Sequence, residues 1–357
     1  MSGGVKIIKQ SKGPVTLRGQ FIRAARPDMP TVIAFPDLCE KPEVLRPLFN
    51  KKFHEYRNLW LLSYRNSWMS NRADSMEAEE IAEDVTNFMN QHNITTASLL
   101  GHGFGARIAT ITGILKYHRI TSVVGLDYSP MDYTEHECWK ELKAAVELAS
   151  SIELQSKTRN EVVALLRNNI HNSRLRQVFT SNLAEAENGQ LFWRSGMKEL
   201  AASMNLKDFR ANIGRFPLIG LFPGRAMFFY AERGNWVHQS SNTIPIYNLF
   251  PKLKGEYGYF IDHVNTDNHW LFETDHVTSM SRRIADFYRW YDGVHHLLKD
   301  RSEIGKIAVP VRARSDLTAE EQQHLIEEGN PTVPKMVPPH YHHNYAFNSE
   351  ASKVKFP

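Results

Sequence analysis

Cysteine is nearly absent: Cys39 and Cys138 stand alone in unrelated segments of a 357-residue chain. Neither has metal-ligand spacing, which excludes a disulfide framework and a cysteine zinc site and fits a reducing compartment. Long apolar runs are missing too. No stretch approaches the roughly 18 apolar residues that a transmembrane helix needs. Nor is either charge in large excess. With 43 Lys and Arg against 39 Asp and Glu, the net charge is +4, too small in a chain of this length to imply nucleic-acid binding without a local patch. Acids are absent from the start, where Lys6, Lys9, Lys12, Arg18, Arg23 and Arg26 all precede Asp28. An acid-poor basic start is one property of mitochondrial targeting segments. Against that, Val5-Lys6-Ile7-Ile8 and Val15-Thr16-Leu17 alternate as edge strands do, and the strand reading is preferred.

The most informative absence is a single serine. Thr96 to His102 reads as an apolar strand, and Arg107 to Leu115 as a helix with apolar residues at 108, 111, 114 and 115. Between them lies Gly101-His102-Gly103-Phe104-Gly105. Strand, sharp turn and helix form the setting of the nucleophile elbow, whose pattern is G-x-S-x-G. Here the frame is intact and glycine stands at the serine position. The elbow holds one residue in a strained conformation costing about 1 to 3 kcal/mol so that its oxygen projects over a sheet. Glycine adopts such angles with little steric cost, so Gly103 relaxes the turn and removes the nucleophile. The turn is not a phosphate cradle either, since no Lys-Ser/Thr follows it.

Along the chain, strands are expected near residues 4 to 10 and 15 to 24, joined as an antiparallel pair through Gly13-Pro14. Thr31 to Phe35 and Leu59 to Tyr64 read as buried strands, with helices over Glu43 to Phe53 and Met76 to His92. Ser122 to Asp127 is a further core strand. Strands alternating with helices at this spacing imply parallel pairing. From Met131 to about Pro217 the strand signal stops and helical patterns follow, which predicts an all-helical cap over about 131–217. Strands resume at Arg225 to Ala231 and Tyr257 to Ile261. A closing helix from about Asp275 to Leu298 carries a stripe of Val277, Met280, Ile284, Phe287, Tyr288 and Tyr291. The expected division is therefore 1–299 as one α/β domain and 300–357 as an extended, proline-bearing C-terminal tail.

This order of segments resembles the α/β-hydrolase superfamily, in particular its mitochondrial abhydrolase and bacterial esterase branch, over about residues 15 to 295. Supporting marks are the elbow frame, Tyr64-Arg65-Asn66, Asp127-Tyr128-Ser129-Pro130, Phe192-Trp193-Arg194 and Asn268-His269-Trp270. The fold implied is a mostly parallel central sheet with helices on both faces, a helical cap and the tail. The resemblance places the nucleophile at Gly103 and the histidine at His269. The acid falls either in the cap, where Lys198 stands beside Glu199, or after the penultimate strand, at Glu232 or Asn235. The usual histidine-glycine of the oxyanion loop is Phe35-Pro36 or Pro36-Asp37, and proline supplies no backbone donor. Gly103, His269, Glu232 and Lys198 are thus expected to be relic positions.

Losing the nucleophile of a serine hydrolase costs on the order of 10⁶ in turnover, so the expectation is a protein that is not an enzyme. His269 is read as hydrogen-bonded to its neighbours, because a base needs a nucleophile or positioned water. Asp262, His263, Asp267 and His276, and the tail cluster His340, His342 and His343, fit no metal-ligand pattern. Neither cofactor nor metal is expected. The leading functional expectation is an accessory subunit of a large mitochondrial assembly, of the respiratory chain or ATP synthase, at the matrix side of the inner membrane. Its partners would be other protein subunits met through residues 300–357, with no nucleic acid contact and no transmembrane segment. The alternatives are a ligand-binding pseudo-hydrolase, a mitochondrial ribosome-associated protein, and a hydrolase with an unconventional nucleophile.

Overall fold

The computed structural model describes residues 9–10, 13–25, 29–130, 133, 136–204, 222–237, 246, 249–250 and 261–295. In chain order its elements are β1 (Lys9–Gln10), β2 (Arg18–Ile22), β3 (Thr31–Phe35), α1 (Lys51–Tyr56), β4 (Asn58–Ser63), β5 (Arg72–Ala73), α2 (Ala78–Gln91), β6 (Ala97–His102), α3 (Phe104–Leu115) and β7 (Ile120–Leu126). The cap contributes α4 (Glu137–Ser151), α5 (Arg159–Asn169), α6 (Ser173–Asn182), β8 (Leu183–Glu185), β9 (Leu191–Trp193) and α7 (Met197–Met204). Then come β10 (Arg225–Ala231), β11 (Ile261–Val264) and α8 (Val277–His295).

One sheet organises the domain, in the order β11-β10-β7-β6-β3-β4-β2. Every pairing in it is parallel except that of β2 with β4. The period of two assigns each strand residue to a face. Ile33, Phe35, Leu99 and Val123 join Val85, Phe88, Ile108 and Ile111 of α2 and α3 on one side. Val32, Ala34, Leu100 and Val124 meet Phe53, Ile284, Phe287 and Tyr288 of α1 and α8 on the other. Both faces are covered, as the uncharged strands require. The expected α/β architecture with its mostly parallel sheet is present.

Local expectations fare unevenly. The expected hairpin through Gly13-Pro14 does not form: β1 pairs in parallel with β5, and β2 runs antiparallel to β4. The reason is a competing anchor. The Val15 backbone N–H donates to Asp84 Oδ1 at 2.7 Å, and the Gly13 carbonyl accepts from Arg65, so the segment is tied to α2 instead of folding back. The single helix expected over Glu43 to Phe53 is two pieces, a 3₁₀ turn over Pro42–Leu48 containing Pro47, then α1 capped by Asn50. Proline cannot donate to a continuing helix. Nor is the cap wholly helical, because β8 and β9 pair antiparallel in a hairpin whose turn includes Gly189 at φ 79°. The expected strand residues 257–260, the end of the closing helix beyond His295, and the tail 300–357 lie outside the described residues.

Candidate functional site

The turn between β6 and α3 keeps the elbow's geometry. Gly103 has φ 51° and ψ −118°, a region costly to any residue with a Cβ. Gly105 is required for a different reason: a Cβ there would meet the Phe35 carbonyl oxygen at 2.2 Å, so the helix can approach β3 only without one. Both flanking residues are buried. His102 is fully enclosed and its Nε2 lies 2.9 Å from the His269 backbone oxygen.

Three loops converge on this turn. After β3, Pro36 and Asp37 lead the chain over the tip. At the end of β7, Asp127 adopts φ 45°, a left-handed conformation that aspartate tolerates better than most side chains. Its amide donates to the Phe229 carbonyl at 2.8 Å and its Oδ1 accepts from the Ala231 amide at 3.0 Å. Beyond β11, His269 reaches in from the loop before α8.

At the centre is a buried chain of three side chains. His269 Nδ1 donates to Asp127 Oδ2 at 2.7 Å, and His269 Nε2 to Asp37 Oδ2 at 3.1 Å. Asp37 Oδ1 accepts the Phe104 backbone N–H at 2.6 Å. That amide follows the elbow tip and is the donor that serves a developing oxyanion in such folds. A Cβ at position 103 would lie 2.4 Å from both Asp37 Cγ and Oδ1. The Asp37 carboxylate therefore occupies the space that a side chain at the tip would need.

Charge follows from this geometry. Burial opposes a charge on His269, but hydrogen bonds and charges from Asp127 and Asp37 outweigh it and push the ring up to about 9. Burial likewise opposes ionisation of Asp37, and contact with His269 overcomes it, holding the carboxyl below its usual range. Flanked by Asp127 and Asp37, the His269 ring is thus favoured in its protonated, imidazolium form. The Trp236 ring stacks on His269 with centroids 4.7 Å apart. A cleft beside it, lined by Asp37, Glu40, Cys138, Leu142, Trp236 and Trp270, has a volume of about 40 Å³.

Of the residues expected here, Gly103 and His269 come together. Lys198 is exposed on α7 and Glu232 sits half-buried after β10. Neither supplies the acid, because both ring nitrogens of His269 are taken by Asp127 and Asp37. Asn235 is exposed. Asp262, weighed as a metal ligand, pairs with Arg283, and the tail histidines lie outside the described residues. Sequence reasoning placed Asp37 only as a possible position of the oxyanion loop, without its contacts to His269 and the Phe104 amide, and took Asp127 only as a family mark. The available signal was an acid placed directly after Phe35-Pro36 and before Leu38-Cys39, in an otherwise apolar loop.

The fold has many solved counterparts. An esterase from a marine microorganism superposes with a TM-score of 0.62 at 19% identity, covering 76% of this chain and 99% of that one. The chain has the α/β-hydrolase fold. A second counterpart, E-2-(acetamidomethylene)succinate hydrolase, gives a TM-score of 0.54 at 16% identity over 76% of this chain. In sequence, this hydrolase-fold chain is 23% identical to esterase YbfF of Escherichia coli over 199 residues, which is 51% of the chain and 76% of the esterase. It is 26% identical to the sn-1-specific diacylglycerol lipase ABHD11 of Xenopus laevis over 210 residues, 58% of the chain and 65% of the lipase. No protein-family model matches it. No helix among the described residues is long and apolar enough to cross a membrane.

Proposed function

We propose that this chain is a non-catalytic α/β-hydrolase-fold protein acting as an accessory subunit of a larger assembly. One observation carries the reading: the Asp37 carboxylate fills the place of a side chain on the elbow and takes the Phe104 N–H. A serine hydrolase needs that space for its nucleophile and that donor for its oxyanion. Here both are used within the protein. His269 is held as an imidazolium by two acids, a state that cannot accept a proton as a general base. The neighbouring cleft of about 40 Å³ is far smaller than the roughly 300 to 1,000 Å³ of typical small-molecule pockets, which favours a scaffold over a ligand-binding role for this site. The proposed setting, following the resemblance to mitochondrial relatives, is a respiratory-chain or ATP-synthase complex at the matrix side of the inner membrane, with residues 300–357 as the attachment.

The test has two arms. Affinity isolation of the native protein should recover it in a particle much heavier than its own 41.1 kDa, and removal of residues 300–357 should release it. Recovery as a free monomer would overturn the accessory role. Purified protein should hydrolyse activated esters no faster than buffer; turnover abolished by His269→Ala would instead establish an unconventional hydrolase.

A further inference from the structure

The cleft beside the centre is a seam: Cys138, Leu175 and Val178 line it from the cap, and Asp37 and Trp270 from the loops beneath. Helix α6 borders it, and the two ends of that helix are fastened differently. In the first turn Arg174 crosses the seam. Its Nε donates to both Glu273 carboxylate oxygens at 2.9 Å, and its Nη2 to Glu40 Oε1 at 3.1 Å and Glu273 Oε1 at 2.6 Å. The guanidinium lies over the Trp270 ring, 4.9 Å from its centroid, and the Trp270 N–H donates to the same Glu40 oxygen at 2.6 Å. Asn172 holds the turn by accepting the Arg174 and Leu175 amides at 3.1 and 3.0 Å. One side chain of the cap is thus clasped by three from the loops after β3 and before α8.

Roughly 12 Å further along α6, at about 1.5 Å of rise per residue, Asn182 makes the other attachment. It donates to the Cys39 carbonyl and accepts from Ser195, whose hydroxyl oxygen in turn holds the Trp68 amide. Beside it the Gly196 amide donates to the Asn66 carbonyl at 2.9 Å. Release costs differ at the two ends. The Arg174 and Glu273 side chains are 18% and 39% exposed, so water rehydrates both charges as they part. Glu40 keeps its bond from Trp270, which belongs to the same side of the seam. Asn182 and Ser195 are 0% and 1% exposed, and parting there leaves a buried carbonyl and amide without partners, the costlier loss.

We propose that the cap is a lid with Arg174 as its latch and the Asn182–Ser195 attachment as its hinge. Release of Arg174 tips the start of α6 away and opens the seam toward Asp37 and His269. The opening is local, since the hinge end and the sheet beneath stay paired. It sets access to the buried centre whatever chemistry that centre performs, so this inference does not depend on the non-catalytic reading.

The two cysteines report the two ends separately. Cys138 is half-buried in the seam, and Cys39 is buried beside the hinge. The full chain is treated with a maleimide dye, and the labelling rate of each cysteine is read by peptide mass spectrometry. Arg174→Met should speed Cys138 at least about tenfold while Cys39 stays protected and circular dichroism stays native. Arg174→Lys, which keeps the charge but cannot span both acids, should fall between. The gain at Cys138 should hardly vary with urea below the unfolding midpoint, because a local opening exposes little surface. An unchanged Cys138 rate in Arg174→Met would overturn the latch; equal acceleration of both cysteines, or a steep urea dependence, would overturn the hinge. If Arg174→Met does not fold, Glu273→Gln, which alters only the exposed partner, decides by the same two rates.

Discussion

Asp37 and His269 are 232 positions apart in the chain and meet at 3.1 Å over the tip of the elbow. Their contact joins the loop after β3 to the loop before α8, across the carboxyl ends of the parallel strands where open α/β sheets place their chemistry. Restoring a serine beneath this contact should therefore fail. Gly103→Ser places its Cβ 2.4 Å from the Asp37 carboxylate and forces a positive φ on a residue with a side chain. We expect a loss of about 1 to 3 kcal/mol in urea unfolding and no labelling by a fluorophosphonate probe. Adding Asp37→Ala should recover part of the stability and permit labelling. If the single variant labels, the carboxylate is not an obstacle.

The imidazolium makes stability depend on alkali. His269 is raised to about 9, above the unfolded value of about 6.5. Its contribution is then fully present below about pH 6.5 and is lost as pH rises through about 9, amounting to about 3 kcal/mol. Asp37, held low by the same contact, acts in the opposite sense, its contribution fading as pH falls below the ordinary carboxylate range. Urea midpoints measured from about pH 6 to about pH 10 should decline in the native chain and stay nearly level in His269→Gln. Parallel profiles in the two proteins would place the proton elsewhere.

A second buried ion pair answers for Tyr64-Arg65-Asn66. Arg65 is enclosed and grips Asp84 with two bonds, Nε to Oδ2 at 2.6 Å and an Nη2 contact to Oδ1 at 2.9 Å. Asp84 Oδ1 also holds the Val15 amide, so one carboxylate connects α2, the loop after β4 and the segment before β2. Removing one partner strands a buried charge, which costs about 3 to 5 kcal/mol. Arg65→Met should lower the unfolding free energy by that amount. A change under about 1 kcal/mol, the level of an exposed pair, would show that water reaches Asp84.

How much of this was legible depended on whether the signal was local. The elbow announced itself because glycine spacing, an apolar strand and a helical stripe fall within about twenty consecutive residues, and the alternation of Val32, Ile33, Ala34 and Phe35 between two cores follows from strand geometry alone. The centre was not legible, because Asp37, Asp127 and His269 come from three loops, and only tertiary packing brings them within hydrogen-bond reach. The same holds for the β2–β4 pairing: Gly13-Pro14 is a sound turn signal, and the distant Asp84 and Arg65 override it. His102 illustrates the limit further. Its place in the elbow motif shows that it is near the tip, but its tautomer depends on a carbonyl 167 positions away.

The cap is fastened through Asn182, at the junction of α6 and β8. Its side-chain oxygen accepts from the Ser195 amide at 3.1 Å and the Ser195 hydroxyl at 2.6 Å, while its Nδ2 donates to the Cys39 carbonyl. Ser195 Oγ in turn accepts the Trp68 amide at 2.9 Å. Cys39 is two residues beyond Asp37, so the same asparagine that ties the cap together also steadies the loop that fills the elbow. Asn182→Ala leaves the Cys39 carbonyl and the Ser195 amide buried without these partners, at a cost of about 1 to 3 kcal/mol. Because the loss falls on the cap's attachment, it should appear as local opening. Hydrogen exchange should accelerate at the Trp68, Arg194 and Ser195 amides while those of Leu99 and Leu100, in the middle of β6, keep their protection. Equal acceleration in β6 and the cap would mean that the two open together, and that Asn182 is one support among many instead of the fastening between them.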